Sequence, residues 1–128
     1  MLEDIKIGVT NKIEKVVTEE NTAAAAGSGA LPVVSTPSLI SRMEQAAFTL
    51  LKKEPISQES VGISISVQHV RATLTGTKVW AIATVTAVDR RKVDFEVVAY
   101  DQEGEIGKGI HSRFCIDREK FLNKLNSK

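Results

Sequence analysis

The stretch Ser35–Glu54, STPSLISRMEQAAFTLLKKE, decides how the rest of the chain must fold. Ser35 or Thr36 can cap a helix with a side-chain oxygen, and Pro37 suits a first helical position, where its missing N–H costs nothing. Leu39, Ile40, Met43, Ala46, Ala47, Leu50 and Leu51 then recur at helical spacing, which predicts a helix over 38–54. Lys52 and Lys53 complement its C-terminal dipole, and Pro55 is the expected stop. The apolar face is too broad for a surface helix, so something must cover it.

The cover follows in the sequence. Ile63, Ile65 and Val67 alternate with Ser64, Ser66 and Gln68, the pattern of a half-buried strand over 63–71 whose apolar set faces inward. Thr77–Asp89, Lys92–Asp101 and Glu105–Ile116 alternate in the same way. DRR and QEGE make tight turns between neighbours, so an antiparallel meander is expected. Asp117 can cap a last helix through Phe121 and Leu122. Upstream, 1–10 reads as a lead-in and Asn11–Thr22 as a first strand, for its β-branched residues. The segment 23–35 reads as a loop with one helical turn at its alanines. One buried helix with several long strands is an α+β fold, most economically a curved antiparallel sheet wrapped around a central helix.

The chain is 128 residues long, which predicts a single domain over 1–128 with a core that needs no staples. A net charge of +1 with dispersed charges gives no electrostatic basis for nucleic-acid binding. The single cysteine, Cys115, cannot form an internal disulfide, specifies no metal cluster and reads as a small buried hydrophobe. No run approaches the roughly 20 apolar residues of a membrane span, and no early apolar run resembles a signal peptide. A cytoplasmic location is the expectation.

Three segments, STPSLISRMEQAA, VGISISVQHVRATLTGTKV and VDFEVVAYDQEGEIGKGIHSRFCIDREKF, together resemble the fluoroacetyl-CoA thioesterase-like family of hotdog-fold enzymes. The specific part is their order and spacing. A threonine and a glutamate lie eight apart around a helix start, a glycine and a histidine lie seven apart on the next strand, and GxGxHxR follows on the last. The resemblance implies a hotdog fold and a homodimer, or a higher hotdog oligomer, with active sites at the dimer interface. It implies hydrolysis of acyl-CoA thioesters, with coenzyme A as part of the substrate, no separate cofactor and no metal. By position it implies catalytic roles for Thr36, Glu44 and His69. It also implies substrate-binding roles for Gly62, through its backbone N–H, and for Arg113. One departure stands out: the specialised family member closes its acyl pocket with an aromatic residue ahead of the threonine, whereas Gly29, Ala30 and Leu31 occupy that segment here. A broader or different acyl range is implied.

Each of these residues also has an ordinary structural reading. Glu44 can be a solvent-facing glutamate or a cleft carboxylate able to act as general base or nucleophile. Thr36 can simply cap the helix, and His69 can close a strand with satisfied hydrogen bonds. Arg113 ranks above His111 as a functional residue, although an arginine in a plain salt bridge is common. Thr36 and Glu44 are eight positions apart, about 12 Å along a straight helix. They meet only if the preceding loop folds back or two subunits share the site. The enzyme reading stands beside a non-catalytic hotdog module that binds acyl-CoA or a related small ligand.

Overall fold

The covered helix, α2, runs from Thr36 to Lys52 in the computed structural model, which describes residues 5–54 and 59–127. The stop assigned to Pro55, like the first four residues of the lead-in, lies outside the described residues. Leu39, Met43, Ala46, Ala47, Leu50 and Leu51 form the buried stripe of α2 that the spacing predicts. Ser35, not Thr36, is the cap: its hydroxyl accepts from the Ser38 N–H at 3.1 Å. Thr36 is therefore the first helical residue, and its own hydroxyl is released from capping.

Five strands make one antiparallel sheet: β1 (Thr10–Val16), β2 (Glu59–His69), β3 (Lys78–Asp89), β4 (Lys92–Asp101) and β5 (Gly104–Ile116). The order across the sheet is β1-β3-β4-β5-β2. The expected meander is thus correct for β3, β4 and β5 but not for β2. Residues 70–77 carry the chain from one edge of the sheet to β3 in its interior, so β2 pairs with β5 and not with β3.

The first strand is shorter than the β-branched residues suggested. It ends at Val16, and Glu19–Asn21 form a single 3-10 turn. The alanines give a four-residue helix, α1 (Ala23–Ala26), closed by Gly27 in the left-handed conformation at φ 74°. A last helix, α3 (Arg118–Asn126), begins at Asp117, whose carboxylate accepts from the Lys120 N–H as expected.

The sheet lays its inner face on α2, which packs on β1, β2, β3 and β4. Val79, Ala81, Ala83 and Val85 of β3 and Val93, Phe95, Val97 and Ala99 of β4 close the core with the helix stripe. Small residues let the layers approach. A Cβ on Gly107 would meet Leu39 Cδ2 at 2.9 Å, and one on Gly109 would meet Val67 Cα at 2.8 Å. The sequence GKG is therefore close packing between helix and strands, not a phosphate loop.

Candidate active site

β2 holds the candidate site along its length, and a defect in the strand arranges it. Residues seven apart on a regular strand face opposite ways, so Gly62 and His69 should point to different sides of the sheet. A bulge between Gly62 and Ser64 removes that conflict. Gly62 pairs with Arg113, Ile65 with His111, Val67 with Gly109 and His69 with Gly107, so all four share the helix-side face. Ile63 is the extra residue. It is 51 % exposed and does not pack inward with Ile65 and Val67 as the alternation implied.

At one end of β2, His69 meets the start of α2. Thr36 Oγ1 lies 2.8 Å from His69 Nδ1. Burial depresses the His69 pKa below its usual value, while the nearby Arg71 backbone pulls the other way. The neutral ring is therefore favoured. Its Nε2 is buried and has no hydrogen-bond partner among the described residues. The loop that follows His69 is fixed from below. Asp101 is 4 % exposed and receives Arg71 at 2.6 Å, the Thr73 hydroxyl at 2.8 Å and the Glu103 N–H at 2.8 Å. Thr73 in turn accepts the Val34 N–H at 2.9 Å, two residues before Thr36. Arg71 is thus committed to this clamp.

At the other end, Gly62 lies under Glu44. A Cβ at Gly62 would stand 3.0 Å from Glu44 Oε2, 3.3 Å from His111 Cε1 and 3.4 Å from Arg113 Nη1. Arg113 is 6 % exposed and approaches Glu44 Oε2 at 3.9 Å. Its Nε donates to Ser60 Oγ at 2.9 Å and its Nη2 to the Ser60 carbonyl at 3.2 Å. The guanidinium also lies over the Phe48 ring, 5.6 Å from its centroid. The Glu44 side chain remains 42 % exposed, on an open cleft lined by Ser41, Glu44, Gln45, Phe48 and Arg113. A carboxylate so placed can reach a ligand, while the arginine beneath it is turned inward.

The structure therefore groups the five sequence candidates as two sets, Thr36 with His69 and Glu44 with Gly62 and Arg113. Within one chain the sets stay apart. α2 is continuous from Thr36 to Glu44, about 12 Å of rise, and Gly62 to His69 spans roughly 20 Å of strand. Ser60, Asp101 and the strength of the His111 contacts were not singled out from sequence. The available signal was positional: His111 and Arg113 are two apart on a strand that alternates inward, so a buried ring beside a buried guanidinium was readable.

Comparison with known proteins bears on the family and the fold. Residues 17–119 match the model of the FlK family, described as fluoroacetyl-CoA-specific thioesterase. A fluoroacetyl-CoA thioesterase from Streptantibioticus cattleyicolor is 35 % identical over 98 residues, which is 75 % of this chain and 70 % of that protein. A crystal structure of a mutant of the fluoroacetyl-CoA-specific thioesterase FlK superposes with a TM-score of 0.86 at 29 % identity, covering 96 % of both chains. A hot-dog-like protein from Thermanaerovibrio acidaminovorans superposes at 0.87 with 22 % identity, covering 98 % of this chain and 93 % of its own, a likeness of fold.

Proposed function

The chain belongs to the fluoroacetyl-CoA-specific thioesterase family and is a thioester hydrolase of hotdog fold, and from that premise we propose that it hydrolyses acyl-CoA at a site built from two copies of itself. The observation that carries this reading is the division of the candidate residues into two sets at opposite ends of β2, with His69 Nε2 lacking a partner among the described residues. Among the described residues β2 is an edge strand, with one side of its backbone unpaired by the rest of the sheet. Antiparallel pairing of two such edges, centred near Ile65 and Ser66, brings the His69 end of one copy to the Gly62 end of the other. Each homodimer then carries two complete sites.

In such a site the thioester carbonyl rests against the Gly62 N–H, which receives the negative charge that develops on oxygen. Glu44, held over Gly62, acts on the carbonyl carbon as base or as nucleophile. As base it takes a proton from the attacking water. As nucleophile it forms a mixed anhydride that water then opens. His69 and Thr36 position the water and return a proton to the departing thiolate of coenzyme A. Arg113, anchored on Ser60 with Nη1 3.9 Å from Glu44 Oε2, orients the carboxylate from beneath and does not itself bind substrate. No step calls on a cofactor or a metal. Leu31, Val70 and Leu74 are exposed apolar residues on the segments that frame Thr36 and His69. They fit an apolar acyl group, and with no aromatic residue at 29–31 we expect acyl chains beyond fluoroacetyl to be accepted. A cytoplasmic setting suits such a substrate.

The test is thiol release from a panel of short- and medium-chain acyl-CoA thioesters. Turnover is expected to fall by about two to four orders of magnitude in Glu44→Ala, and strongly in His69→Ala. Unchanged turnover in both would remove the mechanism. Thermal stabilisation by acyl-CoA without thiol release would instead indicate a binding module.

A further inference from the structure

His111 is a buried, fully engaged side chain to which the reaction above assigns no task. It is 2 % exposed, faces the core from β5 and stacks on Phe95 of β4 at 6.1 Å between ring centroids. Its partners dictate its state. The Ser64 carbonyl can only accept, so Nδ1, 2.8 Å away, is the donor. The Arg113 guanidinium can only donate, so Nε2, 3.1 Å from Nη1, is the acceptor. The ring is therefore the neutral Nδ1–H tautomer. Burial, joined by the Arg113 charge, holds its pKa below the usual value, against opposing contributions from the Ser64 carbonyl and Glu44.

Both bonds end on parts of the Glu44 set. Ser64 closes the bulge that turns Gly62 to the helix side. Arg113 Nη1, which His111 receives, is the same nitrogen that faces Glu44 Oε2 at 3.9 Å. We propose that His111 is a positioning residue: one ring nitrogen pins the bulge that presents Gly62, and the other aims Arg113 at the Glu44 carboxylate. This rests on the reading of Glu44 as the reacting group. Four neighbours face the ring: Arg113 on its own strand, Glu44 on α2, the Ser64 carbonyl on β2 and Phe95 on β4. A protonated ring would present a second donor to a guanidinium and lose the aiming contact.

Two measurements test the idea. Nitrogen-15 NMR of the labelled protein, with His69→Gln used for assignment, is expected to show His111 as a neutral Nδ1–H ring at pH 7. An Nε2–H tautomer or a charged ring there would overturn the proposal. In kinetics, His111→Phe keeps the bulk and loses both bonds, His111→Asn keeps reach only to Ser64, and His111→Gln can donate to one partner and accept from the other. We expect kcat to drop about tenfold or more in the Phe and Asn variants with KM within about threefold, and Gln to restore most of it. Wild-type kcat in the Asn variant overturns the arginine-aiming role even if the Phe variant does not fold. Glu44→Gln is measured alongside. If it stays active, the reading of Glu44 fails. If it is inactive while the Asn and Phe variants keep wild-type kcat, only the role of His111 fails.

Discussion

The two ends of β2 are finished to different degrees. At the Gly62 end both nitrogens of His111 and all three of Arg113 have partners within the chain, and only the Glu44 carboxylate is left facing outward. At the His69 end the ring has one partner, Thr36, and a buried nitrogen with none among the described residues. A buried polar atom without a hydrogen bond costs about 1–3 kcal/mol. The first end is set by folding; the second is completed by what arrives. That asymmetry is what the proposed shared site would require, with each copy delivering a carboxylate and receiving its partner's at an incomplete histidine.

The sharpest way to break this comparison is subunit mixing. Thr36→Ala and Glu44→Ala proteins, each nearly inactive, are refolded together. In half of the resulting dimers one site carries both lesions and the other none, so activity should return to about a quarter of wild type. No recovery would mean that each chain acts alone. Next in size, Thr36→Val should lower turnover by about a hundredfold at unchanged melting temperature, since the hydroxyl serves His69 and not the helix. Gly62→Ala tests the finished end. Its Cβ would press on Glu44 Oε2 at 3.0 Å, so kcat should fall about tenfold while stability changes by about 1 kcal/mol or less.

The smallest effect is the pH dependence of stability, read from urea midpoints. His69 and His111 both have folded-state pKa values below the ordinary 6.5, so the unfolded chain takes up more protons and stability should fall as pH drops below that value. Asp101 acts lower on the scale. Burial raises its pKa, but hydrogen bonds from Arg71, Thr73 and the Glu103 N–H together bring it below the ordinary 3.8. Its stabilisation is present above that pH and is lost as pH falls through the folded value. His111→Gln should flatten the upper slope and leave the lower one.

Much of this architecture could be read in the sequence because it follows from periodicity. The stripe of α2 and the alternation of β3, β4 and β5 each follow from a repeat that a buried face imposes. Strand order could not be read that way: nothing in residues 70–77 says whether the chain turns back beside β2 or travels across the sheet. The bulge was equally silent. Strict alternation assigned Ile63 inward and left Gly62 and His69 on opposite faces; one extra residue reversed the first and reconciled the second. The identities of Thr36, Glu44 and His69 came from spacing shared with a family, whereas their grouping into two sets needed coordinates. His111 was underrated because its spacing from Arg113 gives the face it shares but not the Ser64 carbonyl and guanidinium it bonds.

The cap of α2 carries a last consequence. Ser35 and Thr36 are adjacent hydroxyls with separate duties, the first bound to the Ser38 N–H and the second to a histidine from another strand. Had one residue done both jobs, every change in its chemistry would have been filtered by whether the helix still formed. With the duties divided, a change at position 36 is felt in its contact with His69 and not in the helix cap, while removing the Ser35 hydroxyl costs about 1 kcal/mol of stability. The fold thereby separates the residue that starts its helix from the residue that meets His69, so that loss of one is read in stability and loss of the other in chemistry.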